Sequence, residues 1–441
     1  MKDTLPQQHR TREHLPWHRV LMAEDIDVVV VGGGQAGLAT SHELSARGVE
    51  HVVLEATTPG SSWLGRWDSF TLVGPNHTVT LPGAHYRGDD PDGFMTRTEI
   101  ADHLQRYAGR LGAEVRTGTP VHRLTPFGDP ADPSHPTGRG GRGKRGYRLD
   151  TDGGTIRSRA AVIATGAYQQ PLRPAVLTGL SPDIAVLDVA TYRNPAGLPD
   201  GSVLVVGSGQ SACQIAEELA LAGRDVVMAC GRAPWFYRRL EDRDLFDWLI
   251  SAGFFEQRPH ELASPAARHG ANVQASGARG GHDLHYRTLA ALGVRLTGHL
   301  AGVADRTAYL KPDLTETIAA GDAGFRLVSG AVARACAREG RPLPEIPPPT
   351  ALATDAPTEL DLHGFGAVVV ACGFRSRYAE WIDVPGIVDE QGFPVHDDGE
   401  STVAPGLHFV GVHFLRRRRS SLLFGVGDDA TATAARIASQ V

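Results

Sequence analysis

What this sequence lacks narrows its chemistry before any motif is read. Only four cysteines occur in 441 residues, Cys213, Cys230, Cys336 and Cys372, and no two of them form a C-x-x-C pair. That spacing excludes a zinc ribbon, a disulfide framework and a redox-active thiol pair, and it fits a reducing cytoplasm. Basic residues are not in excess: 44 Lys and Arg against 50 Asp and Glu leave a formal charge of −6. A surface built for nucleic acid carries the opposite balance. No apolar run approaches the roughly 18 residues that a membrane-spanning helix needs. The opening stretch "MKDTLPQQHRTREHLPWHRV" has no apolar core of a secretory signal. The 19 histidines include no H-E-x-x-H pattern, so no metal is expected. What remains is a cytoplasmic chain of enzyme size, long enough for two or three domains, without a nucleic-acid or membrane partner.

Glycine, by contrast, is abundant at 52 residues, and its placement is informative. The stretch "DVVVVGGGQAGLATSHEL" begins with a β-branched run of the kind found in parallel strands buried on both faces. Gly32, Gly34 and Gly37 then form G-x-G-x-x-G. The first glycine permits a tight turn, the second lets backbone approach a pyrophosphate, and the third lets helix pack on strand. A helix from Ala36 to Arg47 is predicted, its first amides, near Gln35 and Ala36, directed at the phosphates. A second strand, "HVVLEA", ends in Glu55, an acid placed to bond ribose hydroxyls.

The same unit recurs in "SVLVVGSGQSACQIAEEL", with Gly207, Gly209 and Ala212 in the glycine places and Gln210 and Ser211 opening the helix. Its second strand, "DVVMACGR", ends in Arg232 and no acid. A carboxylate there would repel a 2′-phosphate, whereas a guanidinium grips one. One cradle therefore suits FAD and the other NADPH. Two further strands, "AAVIATGAY" and "GAVVVACGF", run into small residues and glycine, and each is predicted to close one cradle. They place Thr165, Gly166 and Tyr168 against the first dinucleotide and Cys372 and Gly373 against the second.

The motifs that surround these units resemble class B flavin monooxygenases, a family that includes N- and S-oxygenating and auxin-forming enzymes. The resemblance rests on Ser62-Trp63, Arg66-Trp67-Asp68-Ser69-Phe70, Leu72 and Met95-Thr96-Arg97, and on the tail "GLHFVGVHFLRRRRSSLLFGVGDDATATAARIA". It implies that Trp63, Arg66, Trp67 and Val121 contribute to flavin binding, together with Leu422, Leu423, Gly427 and Asp428 of the tail. A last helix is expected near Asp428, after turns at Gly425 and Gly427. Asn76, in "VGPN", matches the asparagine that several members place beside the reacting flavin edge. The implied activity is oxygenation of a small molecule with O₂ through a flavin C4a-(hydro)peroxide, at nitrogen, at sulfur or at a carbonyl. The family's F-x-G-x-x-x-H-x-x-x-aromatic fingerprint is missing, since Pro182, Ile184 and Asp188 do not match and only Tyr192 does.

The expected fold is α/β, with two Rossmann-like domains, the NADPH domain inserted into the FAD domain, and a small β meander. The boundaries drawn are 1–24 for an N-terminal extension, 25–195 and 381–441 for the FAD domain, and 196–380 for the NADPH domain with an insertion. The stretch "GDPADPSHPTGRGGRGKRG", Gly128 to Gly146, reads as a mobile hairpin tip. Among Arg416 to Arg419, one or two side chains are candidates for binding an anionic substrate or the NADP phosphate. His282 and His285, which flank Asp283, are assigned to surface or packing before any pocket role. A homodimer is compatible with this reading. A plain NADPH-dependent flavin reductase or oxidase is the alternative, and a flavin-binding regulator of a partner protein is another.

Overall fold

The computed structural model describes residues 24–128 and 145–440. Its first sheet has nine strands: β1 (Glu24–Val31), β2 (His51–Leu54), β3 (Glu114–Arg116), β4 (Val121–Phe127), β5 (Gly146–Thr151), β6 (Gly154–Ile163), and, far along the chain, β12 (His396–Asp397), β13 (Glu400–Ser401) and β14 (Leu407–Phe409). The parallel core runs β14-β6-β1-β2-β3. Val28, Val29 and Val30 of β1 are fully buried, as a β-branched run covered on both faces requires. Helix α1 (Gln35–Ala46) covers one face with α2 (Arg97–Ala108), whose N-terminus is closed by a Thr96–Glu99 capping box. Strands β4 and β5 form the expected meander, with Phe127 opposite Gly146. Most of the expected mobile tip between them lies outside the described residues.

The second sheet is five-stranded and all parallel, in the order β7-β11-β8-β9-β10. Its strands are β7 (Ala185–Asp188), β8 (Ser202–Val206), β9 (Val226–Ala229), β10 (Arg295–Thr297) and β11 (Phe365–Val370). Helix α3 (Gln210–Leu221) follows β8 as α1 follows β1. The longer stretch between β9 and β11 carries α4 (Leu245–Ser251) and the 26-residue α5 (Leu314–Glu339). Around them lies a separate aromatic core of Trp235, Phe236, Trp248, Phe255 and Phe325. The chain then returns to the first sheet and ends in α6 (Val426–Ala438). No helix among the described residues is long and apolar enough to cross a membrane.

The tail helix starts earlier than its sequence suggests. Gly425 is the residue before its first turn and Gly427 lies within that turn, where a Cβ would come within 2.9 Å of the Pro82 ring. Close packing, rather than a turn, accounts for that glycine.

Candidate dinucleotide-binding site

Both cradles are built by the same steric rule. Gly32 has φ +109°, and a Cβ there would lie 2.7 Å from the Ala164 carbonyl oxygen. Gly207 has φ +115°, and its Cβ would lie 2.5 Å from the Ala371 oxygen. Each turn therefore presses against the end of its predicted closing strand, β6 in one sheet and β11 in the other. Gly34 and Gly209 precede their helices directly, and a Cβ on either meets nothing within 4 Å. The space beyond these helix N-termini, where free amides and the positive dipole end converge, fits a pyrophosphate. Ala212 is fully buried, small enough for α3 to rest on its sheet.

The first residue of each helix clamps a segment crossing above it. Gln35 donates from Nε2 to the Ser421 carbonyl at 3.0 Å and accepts the Trp63 indole N–H at 3.1 Å. Gln210 accepts the Ala275 N–H at 3.0 Å, and its amide nitrogen donates to the Ala275 carbonyl. Ser211 lies in the first turn of α3, and Ala36, buried in the first turn of α1, stands where a Cβ on Gly411 would meet it at 2.5 Å. Val426 flanks the same Gly411. Helices α1 and α6 therefore start side by side, and the tail comes to the first cradle.

The ends of the second strands differ. Glu55 accepts the Gly33 N–H at 2.6 Å and the Thr57 N–H at 2.9 Å, so its carboxylate is fixed at the cradle rim. Thr119 donates to the Glu55 carbonyl at 2.9 Å, and Val121 opens β4 two residues later. In strand register Val31 faces Leu54 and Val206 faces Ala229. The counterpart of Glu55 is therefore Cys230, which is fully buried, and its thiol pKa is pushed up to about 12 by that burial. Arg232 stands two residues further on, exposed at the sheet's carboxyl edge, where open α/β sheets bind ligands.

The two closing turns touch. The Tyr168 ring, after β6, meets the Phe374 ring, after β11, edge-on at 5.7 Å, and the Arg66 guanidinium lies 5.6 Å from the Phe374 centroid. Tyr168 is 53% accessible, yet the surrounding chain desolvates its phenol and raises its pKa, against the opposing pull of Arg66. Burial likewise lowers the Arg66 pKa. The ring thus stays open to solvent where the two closing turns meet. Thr165 and Gly166 line the first closing turn and are held by Gln169. Gly373, in the second, accepts the Leu172 N–H at 2.9 Å, and burial pushes the Cys372 thiol up to about 11. Trp67 is turned away into the core, 2% exposed and edge-on to Phe70. Leu423 is buried and Leu422 half-buried.

The tail arginines are placed differently from what their sequence suggests. All four tail arginines are already engaged, so the candidate anion binder is not free among them. Arg416 pairs with Asp398 at 2.5 Å, and Arg417 and Arg419 share Glu256 and Asp428. Arg418 bonds Asn272 and Gln257 and lies over Phe254 and Phe414. Asp428 thus spends its carboxylate on arginines at the start of α6. Asn76 is 4% exposed, donates to the Asp90 carbonyl at 2.9 Å and accepts the Met95 N–H at 2.7 Å. His282 bonds the buried Glu217 at 2.7 Å, and His285 stacks on Trp235 with its pKa lowered to about 4 by burial.

Sequence reasoning missed the ties between the two units. Arg238 anchors one of them: it is held within its own unit by Asp244 at 2.8 Å, with side chains 2% and 6% exposed. Arg238 also donates to the Val73 carbonyl at 2.9 Å and covers the Phe94 ring. A cavity of about 650 Å³, lined by Glu24, His51, Arg116 and Arg159 among others, opens at the opposite, amino-terminal edge of the first sheet, away from both cradles.

Comparison with known proteins supports this architecture. Residues 26–251 match the family described as pyridine nucleotide-disulphide oxidoreductase. An uncharacterized CzcO-like oxidoreductase of Geobacillus kaustophilus is 28% identical over 93% of this chain and 97% of its own length. A probable indole-3-pyruvate monooxygenase of Arabidopsis thaliana, YUCCA4, is 28% identical over 43% of each chain. A flavin monooxygenase variant from Stenotrophomonas maltophilia superposes with a TM-score of 0.65 at 20% identity, covering 94% of this chain and 99% of that one. With two cradles of one design and a family match across the first of them and into the second, the chain belongs to the pyridine nucleotide-disulphide oxidoreductase family.

Proposed function

We propose that this chain is an FAD- and NADPH-dependent monooxygenase that oxygenates a small molecule at nitrogen or sulfur. The observation that carries the reading is the meeting of Tyr168 and Phe374, because it brings the carboxyl edges of both sheets together. The four cysteines are free, with no pair to accept electrons as a disulfide. In this reading residues 25–195 and 381–441 hold FAD, and residues 196–380 hold NADPH. When bound, FAD takes hydride from NADPH and supplies the reduced ring at which O₂ is activated.

The protein's part is binding, orientation and exclusion of water. The amides beyond Gly34 and Gly209 take the two pyrophosphates. Glu55 accepts from a ribose hydroxyl, and Arg232 takes the 2′-phosphate. Trp63, Arg66, Tyr168 and Phe374 border the junction of the two edges. Asn76 holds residues 90–95 in place, and among the described residues its amide nitrogen serves only one acceptor, Asp90. With FAD bound, the second amide hydrogen of Asn76 would be available to the reacting edge of the flavin.

One observation favours a plain oxidase instead. Asp188 stands in the fingerprint's histidine place and is spent on Arg173 at 2.7 Å. Oxygen and peroxide assays with amine, thioether and ketone panels decide between the two. Oxygenated amine or thioether with little H₂O₂ is expected. H₂O₂ equal to the NADPH consumed, whatever compound is present, rejects oxygenation, and turnover of ketones alone moves the reading to Baeyer–Villiger chemistry.

A further inference from the structure

The second cradle carries a feature that its motif does not mention. Strand β10 pairs with β9, Thr297 opposite Ala229, so the residues two places further, His299 and Gly231, leave the sheet side by side. Asp313, the residue before α5, accepts the His299 backbone N–H at 2.9 Å and bonds its Nδ1, also at 2.9 Å. One carboxylate thereby fixes both the main chain and the ring. The His299 contacts hold Asp313 below its usual carboxylate pKa, although burial pulls it the other way. The ring's remaining nitrogen points at the rim: a Cβ on Gly231 would lie 3.4 Å from His299 Nε2. Gly231 is itself pinned, its N–H donating to Ser208 Oγ at 2.8 Å and its carbonyl accepting the Tyr286 hydroxyl at 2.5 Å. Arg232 follows immediately, with no ion pair among the described residues.

We infer that His299 is a second ligand of the NADPH 2′-phosphate, opposite Arg232, and so a determinant of NADPH over NADH. The inference rests on the assignment of the second cradle to NADPH. With Nδ1 engaged by Asp313, Nε2 is the one ring nitrogen left for a phosphate oxygen. Asp313 acts as a positioning residue, because it touches the imidazole and not the dinucleotide. His299 is 40% exposed, as a group that waits for a ligand at a sheet edge should be.

The test is equilibrium binding of 2′,5′-ADP and of 5′-AMP to the FAD-loaded protein, with KM for NADPH and NADH measured alongside. His299→Ala should weaken 2′,5′-ADP by about three- to tenfold, the range of one hydrogen bond to a phosphate oxygen, and leave 5′-AMP unchanged. KM for NADPH should rise by the same factor, with kcat unchanged. His299→Gln, which keeps an N–H near the Nε2 position, should recover part of the loss. Equal weakening of both nucleotides would make His299 structural and overturn the inference. Arg232→Ala weakening 2′,5′-ADP while His299→Ala does not would overturn it alone. If the unmutated protein binds both nucleotides equally, the NADPH assignment fails and the inference falls with it.

Discussion

Gly37 sits directly on Gly32: a Cβ on Gly37 would come within 1.8 Å of the Gly32 carbonyl oxygen. Gly34, between them, has open space where its side chain would be. The two positions therefore separate folding from binding. Gly37→Val should lose stability at or beyond the upper end of the ~1–3 kcal/mol typical of overpacking, because the neighbour is backbone and cannot turn aside. Gly34→Val should melt within a few degrees of the unmutated protein stripped of its flavin, and purify without flavin. Thermal melts and the visible flavin absorbance check both.

The Arg238–Asp244 pair gives a second expectation. Burial lowers the Arg238 pKa and raises that of Asp244, each against the partner's charge, which is the signature of a pair that depends on its own geometry. Asp244→Asn leaves a guanidinium buried without a counter-charge and should cost about 3–5 kcal/mol in denaturant unfolding. The double replacement Arg238→Met, Asp244→Leu should restore much of it.

His77 predicts a pH dependence. Its Nε2 faces the Asp247 carboxylate at 3.0 Å, and its Nδ1 faces the Pro91 carbonyl at 3.1 Å, with Asp92 at 3.5 Å. Two acceptors around one ring satisfy only the imidazolium. Desolvation lowers the His77 pKa, but Asp247 above all, then Pro91 and Asp92, outweigh it and the net shift is upward. A raised value means that the stabilisation is complete below the unfolded-state value near ~6.5 and fades as pH rises through the folded one. The melting temperature should fall from pH 6 to pH 8 by more than in His77→Gln.

Ending the chain after Leu423 removes Ala430, Ala434 and Ile437, all fully buried in the core that α1 shares. The expected product is insoluble or molten, without FAD. Soluble, yellow, truncated protein would show that α6 is dispensable to the first cradle.

The legible parts of this molecule were those fixed by local sterics. Gly32, Gly37 and Gly207 can be read from sequence because their conformations and close approaches depend on a few neighbouring residues and one strand. The α/β class followed from β-branched runs alternating with helical segments. What resisted reading depends on partners distant in sequence. Nothing near Arg416 to Arg419 announces Glu256 or Asp398, and nothing near Asn76 announces Met95. Asp313 and His299 are 14 residues apart, a spacing with no motif attached. Proximity in that case comes from the β10 edge and the start of α5, which only the folded chain brings together.

The route of the chain also sets an order of assembly. The strands of the second sheet, residues 185 to 370, are all available before the first sheet receives β14, whose Leu407 lies beside Ala161 of β6. On a ribosome, where domains fold as they emerge, the second sheet can close while the first still lacks a strand and the last helix. The pairing that finishes the first sheet joins residues far apart in sequence, the kind of contact that forms slowly. Until then the outer edge of β6 from Ala161 to Ile163 is an open template for other strands. A ligand that binds only the completed first unit would, by mass action, draw chains past that stage and away from aggregation at the edge.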